Sequence, residues 1–223
     1  MEIDAVNSVP IVGQPVAYGV GLGMLFLLGL APLTGRYALT LVHEGGHMLA
    51  AVASLRKIQG FTLADNTEGL TVIEGRRWAL STLVFFFAGY ATPCLLGLGG
   101  AALIASGNTW SVLILGLIFS LLAIVPAANG LAFLMPTLAA VGIGWALIQA
   151  TPTVQAGVAV GIVWYLLIGG TIYAFTLPTR DGDAADLRKR TVVVPGIVWK
   201  AAWIVIAVVC LWNGGRLLLV PGA

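Results

Sequence analysis

The chain has 223 residues, of which 59% are hydrophobic and only 9% charged. Soluble domains are about 45–50% apolar, so this composition excludes an ordinary soluble protein and specifies an integral membrane protein with the lipid bilayer as its first partner. A formal net charge of +2, from 11 basic and 9 acidic residues scattered along the chain, gives no basis for a nucleic-acid partner.

The N-terminus, "MEIDAVNSVP", is acidic and lacks the basic region of a signal peptide, so the first apolar segment is expected to be a retained helix. Apolar length and punctuation predict about seven transmembrane helices, over 12–34, 36–55, 78–105, 109–128, 130–150, 153–176 and 194–219. The expected fold class is therefore an all-α polytopic membrane protein, a single integral membrane domain over 1–223. Pro93 predicts a kink in the third span, and "PAANGLAFLMP" at 126–136 weakens the join of the fourth and fifth. Scattered small residues, such as "GVGLG" and "GLGGAA", suit close helix packing. Cys94 and Cys210 lie in apolar segments and read as buried free thiols rather than a disulfide.

Two segments between spans carry their own signals. "IQGFTLADNTEGLTVIEG", 58–75, alternates apolar and polar residues on either side of a turn, which predicts a short β-hairpin. The charged loop 177–193, containing "PTRDGDAADLRKRT", reads as a solvated connector. With strict alternation of seven spans, Arg56, Lys57, Arg76, Arg77, Arg180, Arg188, Lys189 and Arg190 fall on one face, with Lys200 near it. The opposite face receives only Arg36 and Arg216. Basic residues favour the cytoplasmic side, so the hairpin, the loop 177–193 and the N-terminus are expected there.

The two histidines of the chain stand together in "TLVHEGGHMLAA", inside the helix expected over 36–55. Residues i and i+4 share a helix face, so His43 and His47 can offer nitrogens to one ion. Zinc accepts imidazole nitrogen, and Glu44 beside the first ligand can take a proton from water that the ion has made acidic. This is the mechanics of the His-Glu-x-x-His signature. Ionisable groups within a span are costly unless they have a function or a partner. Gly45 and Gly46 each cost the helix up to about 1 kcal/mol relative to alanine, and leave room for a neighbouring backbone, a substrate's included.

HEGGH in an early span, a following hairpin and "AGYATP" in the third span resemble the site-2 protease group of intramembrane metalloproteases. The resemblance is closest to the peptidase M50B-like branch, whose Asp-Ala, Leu, Thr, Pro and Trp pattern is similar to "DGDAADLRKRTVVVPGIVW". The resemblance implies a Zn2+ ion held by His43, His47 and an acidic third ligand, with Glu44 as general base. It also implies hydrolysis of peptide bonds in a transmembrane protein or peptide substrate, and a bacterial plasma membrane. Gly89 and Pro93 would then shape the cleft, and the hairpin edge would hold an unwound substrate segment by strand addition.

The chain departs from the group's Asn-x-x-Pro-x-x-x-x-Asp-Gly pattern: Asn129 and Pro136 have other spacing and no Asp-Gly follows them. Asp183 matches the branch pattern best, and Asp181, which precedes a glycine, is the alternative third ligand. His47 lies nine residues from Arg56, about 13 Å along a helix, so the aspartate loop must dip inward to reach it. If it does not, the third position falls to Asn129, Tyr90 or water. Competing readings are an inactive relative that binds membrane partners and a non-hydrolytic metal-binding membrane protein. A transporter would distribute polar groups along several spans, and the later spans hold almost none. A haem protein is excluded because two histidines one turn apart on one helix cannot ligate opposite faces of an iron.

Overall fold

The structure, a computed structural model, describes residues 3–30, 36–75 and 78–222. Residues 31–34 of the first expected span, and Arg76 and Arg77, lie outside the described residues. In chain order the elements are α1 (Ile3–Asn7), α2 (Pro15–Leu30), α3 (Arg36–Ala53), β1 (Lys57–Leu63), β2 (Gly69–Glu74) and α4 (Ala79–Ala105). They continue with α5 (Thr109–Ile124), α6 (Gly130–Gln149), α7 (Pro152–Thr176), α8 (Gly182–Thr191) and α9 (Gly196–Leu219).

The chain is thus mostly helical with one small antiparallel sheet, and the expected seven spans are not confirmed. Among the described residues four helices, α4, α6, α7 and α9, are long and apolar enough to cross a membrane. Among the described residues the apolar helices α2 and α5 are shorter, 16 residues each. α5 stops at Ile124, and Asn129 opens α6 by accepting the Ala132 N–H at 3.0 Å.

α4 lies at the centre, packed against α3, α7 and α9. Small residues make this possible. A Cβ on Gly97 would meet Leu167, one on Gly100 would meet Val163, and one on Gly170 would meet Cys94. Trp203 of α9 stacks on Phe87 and donates its indole N–H to the Phe87 carbonyl at 2.9 Å. Cys94 and Cys210 are buried and free.

The N-terminal residues pack on the C-terminal end of α9 and the start of α5. Gly13 N–H donates to Leu218 O at 2.9 Å, Tyr18 Oη to Leu219 O at 2.8 Å, and Trp110 N–H to Asn7 Oδ1 at 2.9 Å. They therefore share the end of the bundle where α4 gives way to α5 and α9 finishes. The basic loop follows α7 and precedes α9, at the opposite ends of those helices. The contact that places α2 is Trp164, whose ring fills the space above Gly21 and whose indole donates to Ala17 O at 3.0 Å.

The hairpin forms where expected. β1 and β2 are antiparallel, with Phe61 opposite Thr71, Leu63 opposite Gly69, and an irregularity between Ile58 and Gly60. The outer edge of β1 is already used. Phe61 N–H donates to Pro126 O at 2.9 Å and Phe61 O accepts from Ala128 N–H at 2.8 Å. The Asn129 amide continues the ladder, accepting from Leu63 N–H at 3.3 Å and donating to Leu63 O at 2.7 Å. Since the polar groups of Phe61 and Leu63 turn away from β2, both cross-strand pairs are of the non-hydrogen-bonded type. Thr71 and Gly69 must then turn their own N–H and C=O away from β1, toward the edge of β2 that pairs with no strand among the described residues.

The loop 177–193 is not a solvated connector. Its residues 182–191 form α8, which buries Ala184, Ala185 and Leu187 against the bundle. Asp183 lies in its first turn and Arg188, Lys189 and Arg190 in its last, the order that suits the helix dipole.

Candidate metal centre

His43 and His47 project from one face of α3 with their Nε2 atoms 3.0 Å apart. The first turn of α8 brings Asp183 to the same point: Oδ2 lies 3.2 Å from His43 Nε2 and 3.3 Å from His47 Nε2. Asp181, the alternative, is the exposed N-cap residue of α8. Asn129 is committed to α6 and β1, and so is no candidate ligand. Tyr90 sets its ring edge-on to His43, with centroids 4.5 Å apart, and Tyr173 lies 5.7 Å from the same ring. The aspartate thus dips inward because α7 ends at Thr176 and α8 folds back on α4.

Hydrogen bonding fixes what these atoms can do. His47 Nδ1 is 2.7 Å from the Phe85 carbonyl, which can only accept. The proton therefore sits on Nδ1, and Nε2 presents its lone pair toward His43 and Asp183. Asp183 faces both imidazoles through a single carboxylate oxygen. Its Oδ2 is buried without a hydrogen-bond partner. Electron-pair donors thus converge on a point that a cation would satisfy. Tetrahedral zinc with ligands at about 2.0–2.1 Å sets its ligand atoms about 3.3 Å apart, so the observed separations of 3.0, 3.2 and 3.3 Å fit that ion.

Glu44 completes the group. It is 2% exposed, and one donor atom from each of His43, Glu44 and His47 lies within 4.8 Å of the others. Its Oε2 accepts a hydrogen bond from the Thr71 hydroxyl of β2. Any Cβ on Gly69 would run into the same carboxylate, 2.7 Å from Cδ, so β2 passes directly over Glu44. Further contacts hold the hairpin along α3: Thr40 Oγ1 donates to Thr67 O and Tyr37 Oη to Asp65 O, both at 2.8 Å.

The glycines have specific neighbours. A Cβ on Gly46 would meet Ala88 O at 2.8 Å and the Thr92 side chain, and one on Gly45 would collide with the Phe119 ring. The space expected for a substrate at Gly45 and Gly46 is filled by α4 and α5. Gly89 is the glycine at the centre: a Cβ there would lie 2.5 Å from His43 Cε1, 2.6 Å from His43 Nε2 and 2.7 Å from His47 Nε2. Pro93, four residues on, has no N–H to offer the Gly89 carbonyl, so the i to i+4 helix bond is missing there.

Thr71, Gly69, Tyr173 and the Phe85 carbonyl were not singled out by sequence reasoning. The period of two in β2 puts residues 69 and 71 on one face, which is the available signal for the first pair. A backbone carbonyl leaves none.

Together these features define a helical membrane protein with a His-Glu-x-x-His centre able to hold a metal. The Peptidase M50B-like family matches residues 20–214, and the chain belongs to that family. No curated protein and no solved structure matches the chain.

Proposed function

We propose that the protein is an intramembrane zinc metalloprotease that hydrolyses peptide bonds of membrane-protein substrates. The observation that carries this reading is the donor triangle of His43 Nε2, His47 Nε2 and Asp183 Oδ2, with Glu44 one residue from the first ligand. His43, His47 and Asp183 would hold the ion. Bound there, zinc supplies the Lewis acidity that brings the pKa of water from 15.7 toward about 7 and polarises a carbonyl. Glu44 takes the proton from the attacking water and returns it to the leaving amine. The Thr71 hydroxyl keeps Glu44 Oε2 in place during that transfer.

A substrate helix has its own carbonyls hydrogen-bonded and must unwind before one can react. The open edge of β2 receives the unwound segment, with the backbone groups of Gly69 and Thr71 as its hydrogen-bond partners. That strand then runs beside Glu44, and Gly69 leaves room for the carboxylate because it has no side chain. The setting is a plasma membrane with the basic end of the bundle facing the cytoplasm, which puts the N-terminal residues on the other side. Glu44→Gln tests the reading: it should retain metal and abolish cleavage of a reporter carrying a transmembrane segment. Cleavage at the wild-type rate by Glu44→Gln would refute it.

A further inference from the structure

α8 has two ends with different tasks. Its first turn carries Asp183 to the imidazoles. Its last turn carries Arg188, Lys189 and Arg190, all exposed. The helix lies between two candidate spans, one ending at Thr176 and the other beginning at Gly196, so it sits at the membrane boundary. Val192 and Val193, immediately after the basic turn, are 84% and 85% exposed. An exposed basic turn followed by bare valines next to a span is the chemistry of a headgroup seat: cations at the phosphates, aliphatic side chains among the upper acyl carbons.

The surrounding charges support an anionic partner. Arg180 is also exposed at this end, and Lys200 donates to Leu177 O at 3.0 Å. Of the acidic groups on α8 and its cap, Asp183 is turned inward, Asp186 pairs with Lys189 at 3.3 Å, and Asp181 is exposed at the far end of the helix. Arg190 reaches back over the Phe86 ring at 4.8 Å, beside Phe85, whose carbonyl holds His47. One end of α8 thus meets the imidazoles directly, and the other packs on Phe86 of α4, next in the chain to the residue whose carbonyl meets His47.

We infer that anionic phospholipid headgroups bind the Arg188–Arg190 turn of α8, and that this seat holds Asp183 against His43 and His47. The seat stands on the geometry of α8, and its consequence at the metal rests on the reading given above.

The test compares the full chain in nanodiscs of phosphatidylcholine alone with nanodiscs that also contain phosphatidylglycerol. Amide exchange over 182–191 should be slower with the anionic lipid, and chelator-driven zinc loss should slow with it. The double variant Arg188→Gln, Lys189→Gln should lose the lipid response, by about fivefold for each charge removed. Arg216→Gln, at the other end of the bundle, should keep it. Equal exchange in the two lipids, or a full lipid response in the double variant, would overturn the seat. So would inorganic phosphate slowing exchange in neutral discs as much as the lipid does. Lipid-dependent exchange with lipid-independent zinc loss would overturn the link to Asp183. Absence of zinc in every lipid would instead strike the metal reading, and the exchange comparison would still decide the seat.

Discussion

Gly89→Ala isolates the metal centre from the rest of the fold. The added methyl carbon would sit 2.5 Å from His43 Cε1, 2.6 Å from His43 Nε2 and 2.7 Å from His47 Nε2, where ordinary contact begins at 3.4 Å. Relief requires a shift of about 0.8 Å between α4 and both imidazoles, whereas metal–ligand distances tolerate only about 0.2 Å. The helix itself should not suffer, since alanine is about 1 kcal/mol better than glycine in a helix interior. The expected outcome is a loss of zinc affinity of at least about 100-fold, beyond the 10- to 100-fold of typical outer-shell changes. Helix content by circular dichroism should be unchanged. Zinc affinity can be read by chelator competition on detergent-purified protein. If Gly89→Ala holds zinc within twofold of wild type while folded, the close approach of α4 to the imidazoles is wrong.

Other substitutions separate holding the metal from using it. Asp183→Asn should weaken zinc binding by tenfold or more in the same competition assay, whereas Asp181→Asn should leave it unchanged. Thr71→Val removes a hydrogen bond to a carboxylate, worth about 1.5–3 kcal/mol, and should slow reporter cleavage by roughly 10- to 100-fold with zinc content intact. Asn129→Ala removes the α6 cap and the clamp on β1. It should lower stability by about 1 kcal/mol, read as a drop in thermal midpoint, and reduce cleavage more than zinc binding.

Local patterns made part of this legible in the sequence. The i, i+4 spacing of His43 and His47 needs only one helix, and the alternation around "ADNTEG" needs only one hairpin, so both were readable without tertiary information. Asp183 was readable only through resemblance. Its helix is ten residues long, mostly polar, and anchored by Ala184, Ala185 and Leu187, too little apolar surface to stand out from a connector. The meeting of Thr71 and Gly69 with Glu44 depends on which face of the sheet lies on α3, which only packing decides. The packing of α2 was hidden for a related reason. Apolar length does not say which way a 16-residue helix such as α2 runs, and the fit of Trp164 over Gly21 places it.

The most direct test of the central claim is the zinc content of the purified wild-type protein beside His43→Ala and Asp183→Ala. One zinc per wild-type chain, lost in His43→Ala and strongly reduced in Asp183→Ala, is the predicted result. A wild-type protein that takes up no zinc on reconstitution, or an Asp183→Ala protein that binds it as tightly as wild type, would contradict the account.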